Sequence, residues 1–157
     1  MAVVTISDRC SQGLMTDTAG PAVVELLCGQ WPEATIETAL LPDDEESVAM
    51  LLEQFASDGA RLVVTVGGTG LGPRDRTPEA TRRVIDREAP GLAEAMRAMG
   101  AAQNQFAWLS RGVCGLRGAT LIVNLPGSKR GATESLTSIL KLVKHGIDVA
   151  GGGQTHP

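Results

Sequence analysis

Short apolar runs alternate with amphipathic stretches along this chain. Val3 to Ser7, Thr35 to Leu40, Leu62 to Val66 and Thr120 to Leu125 are rich in Val, Ile, Leu and Thr, the composition of half-buried or fully buried strands. Between them the apolar period lengthens. Ala22, Val23, Leu26 and Leu27 form one stripe, and Val48, Leu51, Leu52 and Phe55 form another, so each segment predicts a helix packed on a sheet. Thr77-Pro78 reads as an N-cap with proline in the first turn and predicts a helix to about Arg87, stopped by Ala89-Pro90-Gly91. A further helix is expected from near Leu92, with Leu92, Met96 and Met99 facing inward. The last begins near Thr133 on a stripe of Leu136, Ile139, Leu140 and Val143. Gly112 to Gly118 suits a short strand or a hairpin arm. This alternation predicts an α/β fold, a three-layer sandwich with a mainly parallel central sheet and helices on both faces. One domain is expected over 1–150, with 151–157 as a flexible tail.

Composition narrows the function. A length of 157 residues with 43% hydrophobic content supports one packed core. The net charge of −4 has neither sign gathered into a block, and aromatics are only 3%, so neither nucleic acid nor a membrane surface is an expected partner. No segment reads as a signal peptide or reaches the roughly 20 apolar residues of a span, and the expectation is a cytoplasmic protein. Cys10, Cys28 and Cys114 are odd in number and far apart, which suits buried reduced thiols rather than a disulfide framework or a zinc site. His145 and His156 are expected on the surface or in the tail, and Trp31 and Trp108 in packing or a subunit contact.

Candidate chemistry gathers where strands end. The run Leu62 to Val66 leads into Gly67-Gly68-Thr69-Gly70-Leu71-Gly72-Pro73-Arg74-Asp75-Arg76. Ligands of open parallel sheets sit outside the carboxyl ends of strands, where glycine lets backbone N–H groups approach a phosphate. Pro73 stands where a dinucleotide-binding fingerprint needs glycine, and the chain has no Gly-Lys-Ser/Thr triplet, so neither a Rossmann nor a P-loop motif is present. Asp75 in this loop and Pro42-Asp43-Asp44 after the second strand could place two carboxylates on one phosphate cleft, as Mg²⁺ requires. Equally, Asp43 or Asp44 could cap the following helix and Asp75 could pair with Arg74 or Arg76. Pro126-Gly127-Ser128-Lys129-Arg130 opens the last helix and suits an anion at its N-terminus. Ser7-Asp8-Arg9 and Ser110-Arg111 lie at further loop ends.

Taken together and in order, several of these pieces are specific. Ile6-Ser7-Asp8-Arg9, Leu41-Pro42-Asp43, Gly67-Gly68-Thr69-Gly70, Pro73-Arg74-Asp75, Thr77-Pro78-Glu79-Ala80-Thr81, Leu109-Ser110-Arg111 and Asn124-Leu125-Pro126-Gly127-Ser128 resemble the molybdopterin adenylyltransferases of the MogA/MoaB type. The resemblance runs from Val3 to about Ala150. It implies a homotrimer that binds molybdopterin and Mg²⁺-ATP, transfers AMP to the molybdopterin phosphate and releases pyrophosphate. A molybdenum-insertion protein then uses the product. By the same resemblance Asp43 and Asp75 are the catalytic, metal-positioning aspartates. Ser110 is tied to molybdopterin binding, Gly67, Gly68, Thr69 and Gly70 form the ligand loop, and Ser7, Asp8, Arg111, Pro126, Gly127 and Ser128 line the same cleft. The sequence departs from many relatives at Ser128-Lys129-Arg130, where they carry another proline. A fused second domain is not seen, so metal insertion is not expected. The competing readings are a non-catalytic molybdopterin-binding paralogue acting as carrier and an unrelated nucleotide-binding regulator.

Overall fold

The computed structural model describes residues 1–153; residues 154–157, with His156 and most of the expected tail, lie outside them. In chain order the elements are β1 (Ala2–Ile6), α1 (Asp8–Ser11), α2 (Ala19–Gln30), β2 (Glu37–Leu41), α3 (Glu45–Ser57), β3 (Leu62–Val66) and α4 (Thr77–Val84). There follow β4 (Arg87–Glu88), α5 (Pro90–Ala101), a 3-10 helix (Gln105–Leu109), β5 (Cys114–Arg117), β6 (Thr120–Leu125) and α6 (Lys129–Ala150).

Six strands form one sheet in the order β2-β1-β3-β6-β5-β4. The four strands β2, β1, β3 and β6 run parallel, and β5 and β4 add an antiparallel hairpin arm and edge. Alternation along each strand divides the core in two, because successive side chains point to opposite faces. Val3, Val64 and Val123 stand in register across β1, β3 and β6 and pack with Val23, Met96, Leu136 and Ile139 of α2, α5 and α6. Val4, Val63 and Ile122 face the other way, onto Val48, Leu52 and Phe55 of α3 and Ala80 and Val84 of α4. The expected three layers are present. Since Leu136 is fully buried, its truncation to Ala would cost about 2–5 kcal/mol.

The buried strands carry polar side chains at Thr5, Thr65, Thr120 and Asn124. Asn124 of β6 donates from Nδ2 to Thr65 Oγ1 and to Thr81 Oγ1, both at 2.9 Å, and accepts from the Val113 N–H at 3.1 Å. Both threonines and Asn124 are buried, so the amide satisfies groups on β3, α4 and the approach to β5 together.

Several boundaries differ from the sequence expectation, each for a local reason. The first strand stops at Ile6 because Ser7 turns out to accept from the Cys10 N–H as the N-cap of α1, a short turn without periodicity to announce it. The second strand shifts to Glu37–Leu41 and is partly exposed, as befits a sheet edge. Helix α4 ends at Val84 rather than near Arg87, because Arg87 and Glu88 pair with β5. Helix α5 begins at Pro90, and Met99 is exposed rather than inward; it borders a groove against Thr133, Glu134 and Thr137 of α6. Helix α6 begins four residues early, at Lys129, capped by Ser128, whose Oγ accepts from the Gly131 N–H. Gly112 to Gly118 resolves as β5 joined to β6 by a turn with Gly118 at φ 55°. Cys10 and Cys114 are buried as expected, but Cys28 is exposed. No helix among the described residues is long and apolar enough to cross a membrane.

Candidate active site

Parallel pairing brings the carboxyl ends of β2, β1, β3 and β6 to one edge: Ile6 stands beside Leu41, Thr5 beside Val66, and Val66 beside Leu125. A cleft of about 550 Å³ opens there, lined by Ser7, Asp8, Asp43, Gly67, Gly68, Asp75, Gly127 and Ser128 among the expected residues. Thr5, Arg9, Cys10, Met15, Asp17 and Lys129 line it too.

Two glycines make the floor. Gly67 has φ 114° and Gly68 φ 62°, backbone conformations that L side chains rarely adopt. A Cβ on Gly67 would collide with the Ile6 carbonyl, and one on Gly68 with the Thr77 hydroxyl while standing 3.2 Å from Asp43 Oδ1. The loop therefore crosses the strand ends with no side chain in the way. Thr77 is 1% exposed and its hydroxyl has no hydrogen-bond partner among the described residues. The expected capping role of Thr77 is absent, because α4 begins at Thr77 itself without a side-chain cap.

The acidic groups divide their work. Asp44 caps α3, accepting from the Ser47 N–H at 2.8 Å, which leaves Asp43 turned to the cleft. The Asp43 N–H donates to Asp8 Oδ1 at 3.0 Å, and the Asp8 N–H donates to Asp43 Oδ2 at 2.8 Å. Burial pushes the Asp43 carboxyl above its ordinary value, and the negative charges of Asp8 and Asp75 push the same way, against the Asp8 N–H. Asp8 is lowered, by its hydrogen bonds with Arg74 first and then with the Asp43 N–H. Asp75 pairs with neither adjacent arginine: its Oδ2 accepts from the Gly72 N–H at 2.8 Å, while Arg74 forks onto Asp8 and Arg76 onto Glu45.

Not every expected residue faces this cleft. Thr69 is buried, and its carbonyl accepts from the Arg111 N–H. The Arg111 guanidinium clamps the glycine loop from behind, donating to the Gly70 carbonyl at 2.7 Å, to the Asp75 carbonyl and to Glu79. Ser110 and Arg111 border a separate depression of about 380 Å³ with Arg82 and Arg97. Pro126 lies by a small hollow with Ser110 and Asn124. The residues missed from sequence, Thr5, Cys10, Met15 and Asp17, carried no motif signal. Asp17 could have been found by its place before α2: Oδ1 accepts from the Ala19 and Gly20 N–H groups, and Oδ2 accepts from the Thr5 hydroxyl.

Known proteins resemble this chain over nearly its whole length. The molybdopterin biosynthesis enzyme MoaB of Thermus thermophilus has a structure that superposes with a TM-score of 0.90 at 46% identity, over 96% of this chain and 95% of that one. The molybdopterin adenylyltransferase of Escherichia coli K12 is 38% identical over 153 residues, 94% of this chain and 78% of its own length. The molybdenum cofactor synthesis protein cinnamon of Drosophila melanogaster is 37% identical over 150 residues, and the chain spans only 25% of that longer protein. The family model described as "Probable molybdopterin binding domain" matches residues 2–145, and the chain belongs to that family.

Proposed function

We propose that this chain transfers AMP from ATP to the phosphate of molybdopterin, giving adenylylated molybdopterin and pyrophosphate. The observation that carries the reading is the convergence of Asp43 and Asp75, from the ends of two different strands, on the glycine-floored cleft. The name of the Escherichia coli relative, which covers 94% of this chain, agrees with it.

Adenylyl transfer forms one bond, from a molybdopterin phosphate oxygen to the α-phosphorus of ATP, and breaks the bond from that phosphorus to the oxygen bridging to the β-phosphate. The nucleophile is already anionic, so no side chain has to take a proton. The chain's task is to hold two anions in line and offset their repulsion. Gly67 and Gly68 admit the phosphates close to the backbone. Gly127, Ser128 and Lys129 present the N-terminus of α6, whose dipole favours negative charge. Ser7 and Asp8 close the cleft on the β1 side.

Mg²⁺ fits the carboxylates present. Asp43 is half-buried and faces the like charges of Asp8 and Asp75, an imbalance that a divalent cation relieves. No group of three or more acidic, His or Cys side chains among the described residues is arranged to hold a metal. Mg²⁺ at nucleotide sites is commonly held by one or two carboxylates together with substrate phosphates, which needs no such group. Asp43 and Asp75 would hold it, and it would neutralise charge on the nucleotide phosphates.

The same reading makes the protein a cytoplasmic homotrimer over 1–150 that passes its product to a molybdenum-insertion protein. Phe106, Trp108 and Leu109 of the 3-10 helix are more than half exposed, and a subunit contact would cover them. Ser110 and Arg111 would meet molybdopterin from the neighbouring depression. The deciding assay is pyrophosphate release from Mg²⁺-ATP by the purified protein, with and without molybdopterin, beside Asp75→Asn. Release that requires molybdopterin and vanishes in the variant is expected. Molybdopterin binding without pyrophosphate would overturn catalysis in favour of a carrier.

A further inference from the structure

The cleft is poorly furnished with cations for a nucleotide's phosphates. Its lining carries the carboxylates Asp8, Asp17, Asp43 and Asp75 against the cationic side chains Arg9 and Lys129. A polyphosphate entering this field needs a further positive group that can reach it.

Arg74 is placed to be that group. It precedes Asp75 in the glycine loop and forks onto Asp8, with Nε to Oδ2 and Nη2 to Oδ1 both at 3.0 Å. Among the ion pairs of the described residues, this one alone includes a carboxylate that lines the cleft. The Arg76 and Arg83 pairs tie the start and end of α4 to α3, and the Arg111 pair ties α4 to the segment before β5, none of them through a carboxylate of the cleft. The Arg74 side chain is 66% exposed and that of Asp8 29%, so solvent screens their attraction and the pair adds little to folding. Asp8 does not depend on it for position, because Asp8 Oδ1 also accepts the Asp43 N–H. A phosphate presents the same two-oxygen edge to a guanidinium with more charge. The exchange therefore gives up a weak contact for a strong one.

We propose that Arg74 is the polyphosphate-binding cation of the cleft, held on Asp8 until the nucleotide's phosphates take over its fork. For the nucleotide this rests on the adenylyl-transfer reading; for the anion it rests on the geometry alone. The exchange also frees the second oxygen of Asp8 at the moment the phosphates arrive.

Calorimetric titration with metal-free ATP, pyrophosphate and adenosine in EDTA tests it, on wild type, Arg74→Gln, Arg74→Lys, Asp8→Asn and the double variant Asp8→Asn/Arg74→Gln. Arg74→Gln should weaken ATP and pyrophosphate about tenfold or more, the loss of charge-assisted hydrogen bonds, with Arg74→Lys intermediate and adenosine unchanged. Asp8→Asn, which releases Arg74, should tighten ATP, and that gain should largely disappear in the double variant. Unchanged ATP affinity in Arg74→Gln overturns the proposal, as does an equal loss for adenosine, which marks a structural role. An Asp8→Asn gain of the same size with and without Arg74 also overturns it, since that would be charge removal alone. Wild type that binds neither ATP nor pyrophosphate without metal sinks this proposal, while the adenylyl-transfer reading, which uses Mg²⁺-ATP, stands or falls on its own assay. Binding through Arg74 with no pyrophosphate release in the presence of molybdopterin sinks the adenylyl-transfer reading only.

Discussion

Asp8 and Asp43 hold each other through a reciprocal pair of hydrogen bonds, each backbone N–H donating to the other's carboxylate at 2.8 and 3.0 Å. The exchange ties the end of β1 to the end of β2. It also keeps two carboxylates close together at the cleft, with Asp75 near enough to raise Asp43 further.

From this follows a trade between stability and turnover at Asp43. A carboxyl raised above its unfolded value loses stability as pH rises through the folded pKa, because the native state then gives up a proton it holds more tightly. Asp43→Asn keeps an oxygen for the Asp8 N–H and removes the repulsion. It should raise Tm at neutral pH by about 2 °C while abolishing pyrophosphate release and leaving molybdopterin binding largely intact. A variant with lowered Tm, or one that loses molybdopterin binding in equal measure, would refute the assigned role.

The sheet was legible in the sequence because the buried strands are continuous Val, Ile and Leu runs that no other element imitates; β3 and β6 fall on the residues expected. Edges were less legible. β4 is two residues whose pairing with β5 comes from tertiary contact, and α6 starts at Lys129 because Ser128 caps it across Gly131, a residue that reads as a turn. The cleft was legible in Asp43, Asp75 and Gly67-Gly68 because strand ends of a parallel sheet must converge. Its far wall was less so: Cys10 lies in the short helix α1 and Asp17 just before α2, neither marked by an apolar period, and the turning of Arg111 away from the cleft depends on a side-chain path that spacing does not encode.

Arg111 makes its own prediction. One guanidinium serves Gly70, Asp75 and Glu79, a fork that a lysine cannot reproduce. Arg111→Lys should destabilise the fold by about 1.5–3 kcal/mol, the range for hydrogen bonds to charged groups, and should lower turnover by loosening the loop that carries Asp75. Amide exchange across residues 67–76 reads the loop directly. Unchanged protection there would mean that Arg111 acts elsewhere.

Thr77 offers the opposite case, a polar group whose removal should help. Its buried hydroxyl lacks a partner among the described residues, which costs about 1–3 kcal/mol of desolvation. Thr77→Val keeps the shape and the backbone bond to the Gly68 carbonyl, and should raise Tm by about 2–4 °C. A fall in Tm would show instead that the hydroxyl has a partner in solution, such as a buried water.

Acid should loosen the clamp on the glycine loop through Glu79. The hydrogen bond from Arg111 holds the Glu79 carboxyl below its ordinary value of 4.5, against a smaller desolvation effect. A depressed carboxyl contributes stability that is fully present above the unfolded value and is lost as pH falls through the folded one. Asp86, lowered mainly by the Gly118 N–H, and Asp8, lowered mainly by Arg74, act in the same direction; Asp43 opposes them. Wild-type Tm should therefore drop as pH falls below about 4. Glu79→Gln should melt lower than wild type at neutral pH, and the gap should close as pH falls below 4.5, because protonated Glu79 and Gln are then alike toward Arg111. A gap that stays constant across the titration would mean that the loss in Glu79→Gln is one of packing, and that the Arg111–Glu79 pair does not set the acid limit of the fold.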